Sequence, residues 1–308
     1  MKKFLSIMLS IAMCLCLAVP AMAASEETTE NSEMALVYSP EFPNAYIIQN
    51  QTTSGKTRAS TTQTVSATVF VEEEYGLDEN GNPVTTSSRL LSEGEVLAIG
   101  LDNFDDMEAA RQEAVLGALQ TREATATRGK LTITFSGTHS TEGNSVSCDL
   151  TGNASWAAGS GLFNGDTNPA AGSDYMGVVW SGGFTTSSSS ITATSSASVY
   201  DPPVLNMCTS IPNTGRVWEF TEAWNENILG QGISVYLVDI EVNITITKNN
   251  MTGGGNTAEA VLKYIHTFES TAGSISIEAS SDSVGGGFSL STVDDQWAIM
   301  CTLTGIPY

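Results

Sequence analysis

The sequence predicts a mainly β protein: an antiparallel β-sandwich, with a barrel as the alternative, preceded by a small α+β unit. Three observations carry this. Apolar residues alternate with Ser and Thr in one segment after another, the period-2 signature of strands with one buried face. The gaps between these segments are rich in Gly, Asn and Ser, the residues of turns. Charged residues make up only 15 % of the chain, against about a quarter in an average globular protein, and hydroxyl side chains take their place.

Reading from the start, Lys2 and Lys3 precede a short apolar run, Phe4 to Val19, and Ala21-Met22-Ala23 follows with small-x-small spacing. This is the pattern of a secretory signal peptide over residues 1–23, so the expectation is a secreted, extracellular protein. The run is too short to cross a bilayer comfortably, and the acidic segment behind it disfavours an anchor, so no integral membrane segment is expected after signal removal. Removing 23 residues from 308 leaves 285, and losing the two lysines takes the net charge from −22 to −24. Such a surface repels nucleic acid and anionic polymers, so nucleic-acid binding is excluded.

Residues 24–60 show little periodicity and read as a flexible leader. Residues 61–128 read as the small α+β unit. Val65, Ala67, Val69 and Val71 mark a strand, and Ser92-Glu93-Gly94-Glu95 has capping-box spacing. Phe104, Met107, Ala114, Val115, Ala118 and Leu119 mark a helix near 105–120. Arg122, Arg128 and Lys130 lie in a polar stretch expected to be a protease-sensitive link.

Residues 129–308 read as the sandwich. Leu131, Ile133 and Phe135 form one inward row; Val146, Cys148 and Leu150 form the next, followed by Met176, Val178 and Trp180. The strongest strand is Val235 to Thr247, and its alternation resumes in Ala258 to Phe268 after a Gly-rich gap. A long hairpin between the two is expected. Three cysteines follow the signal, and Cys148 and Cys301 share the apolar phase of their strands, which makes them the preferred disulfide pair.

Motifs for catalysis are missing. Only His139 and His266 could serve a serine or cysteine nucleophile, and no G-x-S-x-G elbow or H-E-x-x-H motif occurs. His266 falls on the apolar phase of its strand and reads as a buried structural residue. The segment Trp218-Glu219-Phe220-Thr221-Glu222-Ala223-Trp224-Asn225-Glu226 sets aromatic rings beside carboxylates, as sugar-binding surfaces do. Trp218, Glu222 and Trp224 are therefore the candidate ligand-binding residues, with carbohydrate or a surface protein as the expected partner. A glycan hydrolase would draw its carboxylate pair from Glu219, Glu222 and Glu226.

Asp166, Asn168 and Asp174 lie in or beside a loop at 164–174 whose oxygens are of the type that binds calcium, but no defined motif fits their spacing. No cofactor or metal is expected. The charge-free alternation of Phe184 to Tyr200 resembles a membrane-inserting hairpin, yet it is short of strong apolar residues. The expectation is an exported, non-catalytic extracellular protein, binding or structural. A glycan hydrolase and a membrane-active toxin are the alternatives.

Overall fold

Alternation becomes strand throughout. The computed structural model describes residues 42–57, 60–77, 79–81, 83–104, 117, 120–121, 123, 125–157, 163–164, 173–197, 199–228, 231–249, 255–268, 274–278, 284–285, 287–291 and 296–308. Its early strands are β1 (Ile47–Thr57), β2 (Ser60–Leu77), β3 (Pro83–Leu90), β4 (Thr125–Glu142), β5 (Ser145–Trp156), β6 (Phe163–Asn164), β7 (Asp174–Trp180) and β8 (Thr185–Ser195). The later ones are β9 (Leu205–Ile211), β10 (Gly215–Phe220), β11 (Ala223–Ile228), β12 (Gln231–Lys248), β13 (Thr257–Thr267), β14 (Ser274–Glu278), β15 (Gly287–Ser291) and β16 (Gln296–Pro307).

Two antiparallel sheets enclose the main core. The first has nine strands, with the path β1-β2-β4-β5-β12-β11; β3 pairs with β2, and β6 and β8 pair with β12. The second runs β16-β13-β7-β10-β9. Val65, Leu131, Phe135, Leu150, Val242 and Ile244 from the first sheet meet Met176, Trp180, Leu262, Ile299 and Leu303 from the second. Neither sheet closes on itself, so the architecture is a sandwich and not a barrel.

A third layer explains an apolar run without alternation. Strand β7, Asp-Tyr-Met-Gly-Val-Val-Trp, is buried at every position. Met176 and Val178 face the first sheet, while Tyr175 and Val179 lie under the β14–β15 hairpin with Phe288 and Leu290. Gly177 sits where the hairpin comes closest: a Cβ there would lie 2.7 Å from the Arg216 carbonyl oxygen and 3.0 Å from the Phe288 ring.

Among the described residues one α-helix stands out, α1 (Glu93–Ile99). It begins at the capping box read from the sequence: the Ser92 N–H donates to Glu95 Oε2 at 2.9 Å. Val96 of this helix, Leu91 and Phe104 cover Phe70 on the outer face of the first sheet. The helix expected near 105–120 falls almost wholly outside the described residues. No described helix is long and apolar enough to cross a membrane.

Other expectations change. The boundary expected at 128/129 runs through one sheet, because β2 pairs with β4 from Ser60↔Ser140 to Tyr75↔Thr125. Part of the stretch read as a leader is ordered: β1 pairs with β2, since its Thr- and Ser-rich sequence suits an exposed edge. Strand β13 makes no hairpin with β12. It pairs with β16 and β7 in the opposite sheet, so the two apolar faces meet across the core instead of lying side by side. The segment suspected of membrane insertion is β8, paired along β12.

The expected Cys148–Cys301 disulfide is absent; both are free thiols. They sit on β5 and β16, in opposite sheets, and act as small apolar core residues. Burial pushes both thiols up to about 12.

Outside the helix patch, the first sheet presents a polar face. Register places Thr64, Ser136, Thr151, Asn243 and Ser190 in one row across β2, β4, β5, β12 and β8. The next row is Ser66, Thr134, Asn153, Glu241 and Thr192, and the row after it is Thr68, Thr132, Ser155, Asp239 and Thr194. The side chains link across strands: Thr64 to Ser136 at 2.9 Å, Thr68 to Thr132 at 2.8 Å, and Thr151 Oγ1 to Asn243 Oδ1 at 2.8 Å.

Candidate functional site

The densest chemistry lies inside the sandwich. Strand β2 carries Val69, Val71, Glu73 and Tyr75 on its inward phase, which turns a carboxylate into the core. Asp174 opens β7, His266 lies near the end of β13, and Glu222 occupies the link between β10 and β11, where the chain passes from the second sheet to the first. All four are buried: Glu73 is 2 % exposed, Asp174 1 %, Glu222 3 % and His266 2 %.

These groups converge on one imidazole. His266 Nδ1 stands 3.2 Å from Asp174 Oδ2 and 3.2 Å from Glu222 Oε2, and its Nε2 stands 3.5 Å from Glu73 Oε1. The Tyr264 hydroxyl donates to Asp174 Oδ2, and the Thr267 N–H donates to Asp174 Oδ1 at 3.0 Å. The Tyr75 hydroxyl donates to Glu73. Aromatic walls seal the cluster. The His266 ring lies 4.9 Å from the Trp297 ring and 5.9 Å from the Trp156 ring, centroid to centroid. Trp297 is itself held by its Nε1–H, which donates to Ser88 Oγ at 2.9 Å.

Burial dominates the protonation of these groups. It raises the Asp174 pKa, and the neighbouring Glu222 charge adds to this while His266 opposes it. Burial alone would lower the His266 pKa; Asp174 and Glu222 outweigh it and leave the imidazole well above its ordinary value. The Tyr264 phenol is pushed well above its usual range, first by burial and then by the Asp174 charge. Asp174, Glu222 and His266 each offer one metal-ligating atom, all within 4.8 Å of one another.

The residues singled out in the sequence lie apart from solvent. Trp218 is 2 % exposed and Trp224 5 %, and both pack in the main core, so neither ring is open to stack on a sugar. Glu222 belongs to the acid–histidine cluster instead. Trp156 is buried, with its Nε1 donating to the Tyr264 hydroxyl at 3.3 Å. Of the 164–174 loop, Asp166 and Asn168 lie outside the described residues, and Asp174 turns inward. Glu73 was not singled out. Its signal was a charged residue on the inward phase of a strand, as with His266.

No family model matches the chain, and no curated protein matches it.

Proposed function

We propose that this is an exported, non-catalytic binding protein that engages an extended, uncharged carbohydrate polymer through the polar face of its first sheet. The observation that carries the reading is the grid of mainly hydroxyl and amide side chains, with the carboxylates of Glu241 and Asp239 on β12, aligned across β2, β4, β5, β12 and β8. Neighbours in such a grid stand about 4.8 Å apart across strands and about 6.7 Å apart along them. The Thr64–Ser136 and Thr68–Thr132 pairs already bond within the sheet, which orders their remaining lone pairs and protons for a ligand.

A single exchanged hydrogen bond is worth only about 0.5–1.5 kcal/mol. Useful affinity therefore requires many contacts at once, as a polymer provides. The acidic surface favours an uncharged ligand. Hydrolysis is the weaker reading: the nearest oxygens of Asp174 and Glu222 lie within 4.8 Å of each other, closer than the roughly 5–5.5 Å of a retaining glycosidase pair, and aromatic rings enclose them.

The test is sedimentation of the purified protein with insoluble polysaccharides and peptidoglycan, beside a Thr134→Lys, Thr151→Lys, Thr192→Lys variant with an unchanged near-UV circular dichroism spectrum. Wild-type protein should sediment with at least one polymer and the variant should stay in solution. Equal sedimentation of both, or of neither, refutes the proposal.

A further inference from the structure

Protons alone leave the buried cluster incomplete. Nδ1 of His266 carries at most one proton, yet two carboxylate oxygens stand 3.2 Å from it. Charge-assisted N–H···O bonds normally close to about 2.7–2.9 Å. On the other side of the ring, Nε2 is buried and faces Glu73 Oε1 at 3.5 Å, longer than a well-formed hydrogen bond.

We infer that Asp174, Glu222 and His266 bind one divalent transition-metal ion of the zinc type, with Glu73 and Tyr264 orienting the ligands. In a tetrahedral site with bonds of about 2.0–2.1 Å, ligand atoms lie roughly 3.3 Å apart. Two of the three separations, at 3.2 Å, are close to that edge, and all three atoms lie within 4.8 Å of one another. Binding at Nδ1 uses its lone pair and fixes the ring proton on Nε2, the side that faces Glu73. A metal-bound histidine ordinarily donates its second N–H to a carboxylate, and Glu73 stands where that acceptor is needed.

Charge agrees with geometry. Two carboxylates and a neutral imidazole cancel the two positive charges of the ion. The Tyr264 hydroxyl and the Thr267 N–H hold the two oxygens of Asp174. A nitrogen ligand selects against calcium and magnesium, which take oxygen, and suits zinc and its neighbours. The ligands come from β7 and β13 of the second sheet and from the link between β10 and β11, while Glu73 reaches the site from β2 of the first sheet.

Because the site is buried, loading is best done during folding. The protein is unfolded in denaturant with chelator, then refolded alone or with zinc, cobalt, manganese or calcium, and freed of unbound ion. The expected result is one zinc or cobalt per chain, a higher melting temperature than the metal-free protein, and cobalt absorption bands of a mixed nitrogen and oxygen ligand set. Glu73→Gln should keep the stoichiometry and weaken affinity by about 10–100-fold. Folded His266→Gln should hold no ion. Should that variant not fold, the wild-type cobalt spectrum decides. No stoichiometric ion in the refolded wild type, an ion retained by folded His266→Gln, or a cobalt spectrum without a nitrogen ligand overturns the assignment.

Discussion

Replacing Gly177 by alanine sets two effects of opposite sign against each other. A strand glycine changed to alanine removes freedom from the unfolded chain, which alone stabilises by about 0.4–1 kcal/mol where the new side chain fits. At Gly177 it does not fit. The added carbon would stand 2.7 Å from the Arg216 carbonyl oxygen, 2.8 Å from Val217 Cγ2 and 3.0 Å from Phe288 Cε1. The first of these is backbone in the adjacent strand β10, paired with β7 through Gly177↔Val217, so relief requires the strands to part or the β14–β15 hairpin to lift.

Overpacking of this kind costs about 1–3 kcal/mol and outweighs the entropic gain. For a domain of this size each kcal/mol moves the melting temperature by about 2–4 °C. Gly94 is the control, because it lies in α1 with nothing within 4 Å of an added Cβ. There alanine should stabilise by up to about 1 kcal/mol. Urea unfolding of both variants beside wild type measures the pair. If Gly177→Ala matched or exceeded wild-type stability, the close approach of the third layer would be refuted.

Ser88→Ala removes the buried acceptor of the Trp297 indole and should cost about 1–3 kcal/mol, read as a lower urea midpoint with an unchanged slope. Thiol titration of the chain without residues 1–23 should find three free thiols in denaturant; in the native state only Cys208 should react, and slowly, because burial raises its pKa to about 11. A single thiol in denaturant would restore a disulfide. Hydrogen bonds from the Ser92 side chain and backbone, with Arg89, lower the Glu95 carboxyl to about 2, below its unfolded value. That contribution is present above roughly pH 4.3 and is lost as pH falls towards 2, so Glu95→Gln should flatten this part of the acid unfolding curve without altering its other limb.

Strands were legible in the sequence, and their partners were not. Period-2 alternation marked β4, β5, β12 and β13 because each buries one face, and the same property hid which sheet each joins. Ala258, Ala260, Leu262 and Tyr264 alternate identically whether β13 lies beside β12 or across the core from it. The third layer was illegible for a related reason: Tyr175 and Val179 look like outward positions until the hairpin covers them. The acid–histidine cluster is assembled from positions 73, 174, 222 and 266, far apart in the chain, so no local motif records it. Only the charged residues on inward phases, Glu73 and His266, hinted at it.

The bond between Trp297 and Ser88 joins residues 209 positions apart, and β12 pairs with β5 through partners such as Thr151 and Asn243, 92 positions apart. Neither sheet can be finished while the chain is partial. A nascent or truncated chain lacking β12 leaves β5 and β8 with bare edges, and one lacking β16 leaves the aromatic wall of the cluster open. Closing such long loops before contacts repay them makes folding slow. The core between the sheets is therefore closed only by the last strand made, β16, so the C-terminal residues decide when the interior is shut off from water.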